Sequence, residues 1–555
     1  MCEHMPRFTP IIGLEIHVEL KTKSKMFCGC KNEPDREAPN TNICEICLAH
    51  PGTLPVPNKT AIEWTVKIAK ALNCHVNENS KFDRKHYFYP DLPKGYQISQ
   101  YDQPIGEHGY VELEFYNGKN HRDQARINVT RVHLEEDTAK LTHALSPSQG
   151  EIQRGLPSGA DTGVSAEDGQ PPVALLSEGG RDKSLVDFNR AGVPLVEIVS
   201  DPDVESAIEA KTYCQELQLI LRYLGVSDAD MEKGHMRCEA NVSLQETGKF
   251  TKKNGVIVPL DGYKLNAKVE VKNINSFRFI EKAIGYEIER QTAMLEKGET
   301  WEMETRGWDS EKQKTVRQRV KETAADYRYF PEPDIPPFHP LQIAGELALP
   351  ELPAARRSRF REEYGFSYAD AELLSNDKNW GDYAEQVMSE LVDWVSNLDE
   401  SKKTTAGILR DQKQQLARMA GGWLTSKLMG AMSERKIDIR ILKLKPENFA
   451  ELIALLHTNR INSTNARKAL GIMLDTNTDV DPTHIMEEKG LGQVSDESKI
   501  AKVVENIIQS HPKQVTDFKA GKEPLIKFLI GMVMKATEGS ADPQVAERVL
   551  REKLK

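Results

Sequence analysis

The feature that most constrains the fold of this chain is a change in its hydrophobic pattern near residue 335. Before that point, apolar and polar residues alternate in several runs, as in half-buried strands, and residues 11–20 give the clearest example. After it, apolar residues recur with the 3.6-residue period of amphipathic helices. The prolines of residues 330–340 are expected to exclude helix and to form a linker. The sequence therefore predicts an α+β protein whose strand-rich part precedes an all-helical part.

A chain of 555 residues is too long for one core, so several domains are expected. Residues 145–183 are rich in Gly, Pro and Ser and lack periodicity, which predicts a mobile surface insertion. Near the C-terminus, three short amphipathic helices are expected to begin near Glu497, Leu525 and Val545. The predicted domains are a strand-rich domain over 1–335, a helical domain over 336–490 and a small helical tail over 491–555.

The composition indicates a soluble, cytoplasmic protein. No stretch reaches the roughly 18 apolar residues that a membrane-spanning helix requires, and the N-terminus lacks the pattern of a signal peptide. The net charge of −10 argues against a surface that is positive throughout. The tail differs, because residues 491–555 contain eleven Lys and Arg against nine Asp and Glu, a local net charge of +2. A local basic face for nucleic acid therefore stays possible.

Four of the eight cysteines form two close pairs, Cys28 with Cys30 and Cys44 with Cys47. Thiolates at this spacing can converge on one tetrahedral zinc ion, and four sulfurs leave no open position for catalysis. The sequence thus predicts a structural zinc site over residues 28–47, with His50 as a weaker substitute for one thiolate. Four unrelated thiols are the alternative. The isolated cysteines Cys2, Cys74, Cys214 and Cys238 are interpreted as ordinary thiols.

Several acids and a histidine lie on predicted strands or at their ends. Glu15 and His17 are two residues apart on the first strand, so they project from the same face. Glu135, Glu136 and Asp137 follow a second strand that is expected to end at Leu134, and Glu270 lies on a third with Lys272 close after it. Such a set can surround a hard cation such as Mg²⁺, although any single glutamate on a strand is usually a solvated surface residue.

Residues 81–96 interleave basic and aromatic side chains, including Lys81, Lys85 and Tyr87. Aromatic faces stack on bases while lysines meet phosphates, so this stretch is a candidate contact for a nucleotide or an RNA end. Packed core aromatics are the alternative. Neither a phosphate-binding P-loop, a dinucleotide fingerprint nor a kinase signature is present, and no amidase or glutaminase constellation is identified. If the chain takes part in amide chemistry, ammonia must come from another chain.

In its longer sequence motifs, the chain resembles the B subunits of the tRNA-dependent aspartyl/glutamyl amidotransferases, the GatB type of the GatB/GatE family. The resemblance covers essentially the whole chain, including a YqeY-like tail. It rests on IGLEIHV (12–18), KFDRKHYFYPDLP (81–93), QISQYDQP (97–104), HLEED (133–137), LVDFNR (185–190), VEVKNINSF (269–277) and DYRYFPEPD (326–334).

The resemblance implies a heterotrimer in which the A subunit, a glutaminase, hydrolyses glutamine and the C subunit wraps the other two. The B subunit would use ATP and Mg²⁺ to phosphorylate the side-chain carboxylate of misacylated Glu-tRNA(Gln) or Asp-tRNA(Asn), and ammonia would displace phosphate. The implied catalytic and Mg²⁺-binding residues are Glu15, His17, Glu136 and Glu270, with Glu135 adjacent, and the implied nucleotide contacts are Lys81, Lys85, Tyr87 and Lys272. The tail would bind the outer body of the tRNA.

Two departures from the family pattern stand out. The family string R-C-D-A-N has Glu239 in place of its aspartate, which puts any role of that carboxylate in doubt. The insertion at 145–183 interrupts a segment that is short in the family, and it is too short to be the additional domain of the archaeal E subunit. Two alternatives follow: a non-catalytic, zinc-containing scaffold that binds tRNA, and the E-type subunit, which would need that additional domain.

Overall fold

The computed structural model describes residues 7–35, 38–116, 122–144, 183–253, 255–320, 327–398, 405–476, 478–493, 497–537 and 540–555. Contacts within the chain divide it into two compact units, Met1–Pro350 and Glu351–Lys555. The sixteen described strands lie in the first unit, and the second is helical. This arrangement confirms the predicted α+β class. The finer division at residues 335 and 490 stays a proposal.

The first unit is built on a nine-stranded sheet with the order β15-β14-β13-β10-β1-β9-β6-β5-β2. Its pairs are antiparallel except β13 with β14, which run parallel. The strands of this unit are β1 (Phe8–Glu19), β2 (His75–Val76), β3 (Asp83–His86), β4 (Tyr96–Ser99), β5 (Gly106–Tyr116), β6 (Arg122–Glu136), β7 (Lys140–Ala144), β8 (Lys183–Asp187), β9 (Pro194–Ser200), β10 (Met236–Glu246), β11 (Phe250–Lys253), β12 (Val256–Pro259), β13 (Val269–Ile274), β14 (Glu304–Asp309), β15 (Lys314–Val320) and β16 (Arg328–Pro331).

Strand β1 lies near the middle of this sheet and has two different faces. Ile12, Leu14 and Ile16 are fully buried, whereas the residues between them are half-buried. Two long helices, α2 (Ala207–Leu224) and α3 (Phe277–Glu296), contact the sheet. Each buried aliphatic side chain contributes about 1.5–3 kcal/mol relative to exposure. The apolar face therefore fixes which residues of β1 point to the opposite side.

A smaller sheet, ordered β16-β3-β4, holds the proline-rich stretch that was expected to be a linker. Phe330 and Pro331 end β16, which pairs with β3, and Phe338 bridges to Ser80. Glu332 is buried and accepts two hydrogen bonds from Arg84. The stretch is therefore part of a folded sheet and not a free connector, and proline is tolerated there because β16 is an edge strand. A short helix, α4 (Pro340–Ala344), follows and contacts α1 (Lys59–Ala71).

The predicted insertion at 145–183 lies outside the described residues, apart from Lys183. Its two flanks are joined, because β7 pairs with β8 in an antiparallel register from Lys140 with Asp187 to Ala144 with Lys183. The two described flanks of the segment therefore lie side by side.

The second unit contains twelve described α-helices: α5 (Pro353–Arg359), α6 (Tyr368–Ser375), α7 (Lys378–Leu398), α8 (Thr405–Gly422), α9 (Met429–Glu434), α10 (Pro446–His457), α11 (Ser463–Asp475), α12 (Pro482–Glu488), α13 (Glu497–Ser510), α14 (Pro512–Lys519), α15 (Leu525–Ala536) and α16 (Pro543–Leu554). One hydrophobic cluster runs from Phe360 to Leu491, and a second from Ile500 to Leu554. Among the helices described in either unit, none is both long and apolar enough to cross a membrane.

The tail has its own apolar cluster, formed by α13, α15 and α16 with α14 beside them. The three helices expected there are present, and their predicted stripes supply buried residues such as Ile500, Leu529 and Val549. The additional helix α14 was not predicted. It spans eight residues and contributes only Val515 and Phe518 to the cluster, too few positions to establish a helical period.

Candidate active site and metal centre

One face of the central sheet is lined with polar side chains, because its strands alternate and pair in register. Glu15 of β1 stands opposite Glu239 of β10, and His17 stands opposite Glu197 of β9. The face extends over six strands, β1, β6, β9, β10, β13 and β14. Its members, which we call the polar face, are Glu15, His17, Arg131, His133, Glu135, Glu197, Glu239, Asn241, Glu270, Lys272 and Thr305.

The centre of the polar face is a histidine held between two carboxylates. His17 Nε2 lies 3.5 Å from Glu135 Oε1 and 3.4 Å from Glu197 Oε2. A ligand atom from each of these three residues lies within 4.8 Å of the others, as a metal site requires. His133 Nε2 lies 3.3 Å from the same oxygen, Glu197 Oε2. Glu197 was missed in the sequence, where its signal is one acid inside an otherwise apolar strand.

The pKa values of Glu15, His17 and Glu197 are shifted by the charges that lie close together on the polar face. Burial and the neighbouring charges of Glu197 and Glu239 raise the pKa of Glu15. Burial alone would lower the pKa of His17, but its hydrogen bond to Glu197 and the charges of Glu197 and Glu135 raise that pKa to about 9. Burial opposes ionisation of Glu197 too, yet His133 and His17 hold its pKa well below the usual range. In the absence of another cation, His17 therefore carries a proton.

One end of the polar face contains Glu270, Glu239 and Lys272. Lys272 Nζ lies 2.8 Å from Glu239 and 3.5 Å from Glu270. Thr305 donates its hydroxyl hydrogen to Glu270 at 2.7 Å. Glu15 lies between this end and the His17 group, because the charges of both Glu197 and Glu270 raise its pKa. Of the predicted residues, Glu15, His17, Glu135 and Glu270 thus lie on one continuous surface.

Glu136 lies apart from this group, because neighbouring residues of a strand point to opposite faces. Its carboxylate lies 2.5 Å from Lys94 Nζ and accepts a hydrogen bond from the backbone N–H of Ile98 at 3.0 Å. Burial raises its pKa, against the opposing effect of the Lys94 charge. The structure therefore places Glu136 against β4, while Glu135 reaches His17.

A lysine and several tyrosines border the polar face beside Glu135. Lys85 Nζ lies 3.9 Å from Glu135 and 5.1 Å from the ring centroid of Tyr327. The rings of Tyr87 and Tyr327 meet edge to face at 5.8 Å. Tyr329 stacks on the half-exposed Tyr101 at 4.3 Å. These side chains form an aromatic wall that sequence reasoning found only in part, because β16 lies far from β3 in the chain.

The remaining predicted nucleotide contact, Lys81, is engaged elsewhere. Its ammonium group forms ion pairs with Asp83 and with Asp102, the latter at 2.6 Å. These two carboxylates outweigh the effect of burial and raise the pKa of Lys81. Lys81 therefore stabilises the start of β3, whereas Lys85 and Lys272 lie at the polar face.

The four predicted cysteines come together at a second site. Cys47 Sγ lies 3.5 Å from Cys28, 3.7 Å from Cys44 and 3.8 Å from Cys30. Four sulfurs bound tetrahedrally at about 2.3 Å from a zinc ion lie about 3.8 Å apart. The cluster is therefore compatible with zinc, and the four sulfurs meet without His50.

The thiol pKa values separate one cysteine from the others. A hydrogen bond from Cys28 lowers the pKa of Cys47 to about 4, against the effect of burial and with help from the charge of Lys25. Burial and the charge of Cys47 raise the pKa of Cys30 to about 12. Before metal binds, negative charge therefore concentrates on Cys47, and binding of a divalent cation would release the protons of the other thiols.

Hydrogen bonds join residues 38–47, which we call the cysteine loop, to Asn189. The side chain of Asn189 accepts from Asn42 N–H at 2.8 Å and donates to the carbonyl of Ala38 at 2.7 Å. The next residue, Arg190, lies 3.1 Å from Glu19 on β1. The cysteine loop and the strand that carries Glu15 are therefore linked through two consecutive residues.

We predict that Glu197→Gln lowers the pKa of His17 from about 9 toward its ordinary value of about 6.5, because the variant removes the strongest acceptor of the imidazolium. Nitrogen NMR of the metal-free chain, labelled at histidine, would follow the titration. Glu112→Gln is the matched control, because Glu112 is exposed and pairs with Arg126. An unchanged titration of His17 in Glu197→Gln would contradict this account of the site.

Comparison with known proteins agrees with these features. Residues 10–344 match the GatB/GatE catalytic domain, and residues 408–554 match the GatB domain. A protein of Persephonella marina, named as the B subunit of an aspartyl/glutamyl-tRNA(Asn/Gln) amidotransferase, is 41% identical over 99% of this chain and 100% of its own length. Proteins of the same name from Crocosphaera subtropica and Thermomicrobium roseum are 40% and 41% identical, covering 98% and 99% of both chains. The resemblance inferred from the sequence is confirmed: the chain belongs to the GatB/GatE family and is similar along its whole length to the B subunits.

Proposed function

We propose that this chain activates the side-chain carboxylate of a misacylated Glu-tRNA(Gln) or Asp-tRNA(Asn) with ATP, and that ammonia then converts the activated group into an amide. The observation that carries the proposal is the polar face, where a buried carboxylate cluster adjoins Lys85 and Lys272. The names of the full-length relatives support the substrate class and the glutamine-dependent ligase activity.

The reaction requires two steps. A carboxylate oxygen of the substrate attacks the γ-phosphorus of ATP, the bond to the bridging oxygen breaks, and ADP leaves. Ammonia then attacks the carbonyl carbon, and phosphate leaves with the electron pair of its C–O bond. Ammonia cannot convert a free carboxylate into an amide directly, because oxide is too poor a leaving group. Formation of the acyl phosphate removes that obstacle.

The carboxylates of the polar face fit a divalent cation. Glu15, His17, Glu135, Glu197 and Glu270 would hold Mg²⁺, which would neutralise charge on the transferred phosphoryl group. The fit follows from the donor set, in which oxygen predominates, and from the ligand atoms of His17, Glu135 and Glu197, which lie within 4.8 Å of one another. His17, whose pKa is raised to about 9, would release its proton before Nε2 bound the cation. Glu239 is bound to Lys272, so its role is to orient that lysine.

The nucleotide and the tRNA end would be bound by the groups that border the acids. Lys85 and Lys272 supply positive charge at two ends of the polar face, where phosphate oxygens would lie. Tyr87 and Tyr327 supply ring surface on which a base can stack. Lys81 is a weaker contact than its sequence suggested, because two aspartates already neutralise it.

Glu136, expected from the sequence to be catalytic, is better explained as a positioning residue. It fixes Lys94 and the backbone of Ile98 on β4. The next residue of that strand, Ser99, donates to Glu135 at 3.3 Å. Glu136 thereby orients the carboxylate that contacts His17.

The chain would act with other components. Ammonia would come from the A subunit, a glutaminase, and the C subunit would complete a heterotrimer. The cysteine cluster would hold a structural zinc ion, and the helical tail would bind the outer body of the tRNA. The cytoplasm is the proposed location, because aminoacylated tRNA is made there.

We expect Glu270→Gln and His17→Ala to lower ATP-dependent formation of Gln-tRNA(Gln) by at least about 100-fold, because each removes a group that would bind the cation. The assay uses the reconstituted complex with and without ATP, and glutamine hydrolysis by the partner serves as the internal control. Glu112→Gln should retain full activity. Survival of activity in both site variants would move the chemistry elsewhere, and no activity of the wild type with either misacylated tRNA would favour the scaffold alternative.

The comparison of Glu136→Gln with Glu135→Gln tests the division of roles within the HLEED string. We expect the larger loss of activity in Glu135→Gln, because its carboxylate lies beside His17, and a smaller loss in Glu136→Gln, which keeps an acceptor for Ile98 N–H. The measurement is the initial rate of amide formation at saturating ATP. The reverse order would restore Glu136 as the catalytic residue.

Deletion of residues 494–555 should weaken tRNA binding by at least about tenfold and leave ATP binding within about threefold, because the tail has a separate apolar cluster and a net charge of +2. The truncation begins after Gln493, because Leu491 packs in the preceding cluster and Gln493 N–H bonds to the carbonyl of Arg460. Fluorescence anisotropy with labelled tRNA and equilibrium dialysis with ATP would measure the two affinities. Equal losses in both would exclude this role.

A further inference from the structure

The cysteine cluster adjoins a buried lysine for which neither the proposed function nor the family comparison supplies a role. We propose that Lys25 is a positioning residue of this metal centre: it donates a hydrogen bond to the Cys47 thiolate and offsets part of the negative charge of four metal-bound sulfurs. The inference concerns metal retention, so it stands independently of the catalytic proposal.

Lys25 has no exposed surface. Its Nζ lies 2.9 Å from the carbonyl oxygen of Asn42 and 3.6 Å from Cys47 Sγ. Within the described parts of the chain, no ion pair joins Lys25 to a carboxylate. The side chain therefore ends at a neutral carbonyl and a sulfur.

The charge of the cluster follows from this arrangement. A buried ammonium group without a negative partner is strongly unfavourable. Four neutral thiols would provide no such partner, whereas a thiolate at Cys47 would, and four thiolates around a divalent cation carry a net charge of −2. Lys25 would reduce that charge to −1 through a charge-assisted hydrogen bond. The burial of Lys25 thus favours metal-bound thiolates over four ordinary thiols.

The backbone around Lys25 holds the side chain in place. Its N–H donates to the carbonyl of Cys30 at 3.0 Å, and its own carbonyl accepts from Asn58 Nδ2 at 3.2 Å. The aliphatic stem runs beside Gly192, where a Cβ atom would lie 3.7 Å from Lys25 Cδ. Asn58 also accepts from Ala61 N–H at the start of α1. The ammonium group is therefore aimed at the cluster before metal binds.

We expect Lys25→Met in the full-length chain to release zinc to a chromogenic chelator about 10- to 100-fold faster than the wild type. Methionine keeps an unbranched stem beside Gly192 and removes the ammonium group. Lys31→Met is the matched control, because Lys31 follows Cys30 directly and is exposed. Release from Lys25→Met at the wild-type rate would overturn the proposal.

Cobalt substitution separates a hydrogen bond to sulfur from a general loss of structure. Removal of a donor raises the energy of the sulfur electrons, so the sulfur-to-cobalt charge-transfer band of Lys25→Met should shift to longer wavelength. The ligand-field bands should keep the intensity of tetrahedral cobalt. An unchanged charge-transfer band would exclude the hydrogen bond.

If Lys25→Met does not fold, a measurement on the wild-type chain still tests whether the metal centre holds Lys25. Acetylation by an amine-reactive ester, followed by peptide mass spectrometry, reports the accessibility of each lysine. With zinc bound, we expect Lys25 to react at least about tenfold more slowly than Lys31, and removal of zinc should speed the reaction of Lys25 relative to that of Lys31. Equal protection of Lys25 with and without zinc would show that the metal centre does not hold it.

Discussion

The structure depends on the pairing register of β1 with its two neighbours. Ile12, Leu14 and Ile16 are buried on one side of this strand, so Glu15 and His17 must point to the other. Because side chains alternate with a period of two, a slip by one residue would bury the acids and expose the aliphatic residues. The free energy that gathers like charges on the polar face is therefore supplied by apolar burial on the opposite face of the same strands.

The register also explains how the polar face tolerates its acids. Each carboxylate has a cation or a donor as a close neighbour: His17 and His133 at Glu197, Lys272 at Glu239, and Asn241 at Glu15, which it approaches to 2.9 Å. Several of these partners stand on the strand beside the acid that they contact, so the sheet positions charge and compensating charge together. The segment Asp187–Arg190 extends this order to the cysteine loop, since Asn189 binds the loop and Arg190 binds β1. The LVDFNR string therefore has a structural role in addition to any contact with substrate.

Sequence reasoning recovered what local patterns determine. The spacing of Glu15 and His17, the two cysteine pairs and the three expected helices of the tail follow from patterns within short segments. Glu197, the distinct positions of Glu135 and Glu136, and the contact of Tyr327 with Tyr87 could not be derived in this way. They depend on which distant strands pair and in which register, and β16 reaches β3 only through the fold. The proline-rich stretch was misjudged for the same reason, because its prolines end a strand that pairs with a partner more than two hundred residues away.

The two clusters differ in how their charge is balanced, and this difference implies different lifetimes for their ions. At the polar face, a proton on His17 and the partly exposed ammonium group of Lys272 balance the carboxylates when no metal is bound. A proton exchanges quickly, so the proposed cation would be able to enter and leave with the substrate. At the cysteine cluster the balancing group is Lys25, which is covalently part of the chain and fully buried. This ammonium group stays beside the sulfurs, offsets part of their negative charge and so favours retention of the zinc ion that we propose there. The electrostatics thus support the two proposals, an exchanging cation at the polar face and a fixed structural ion at the cysteine cluster.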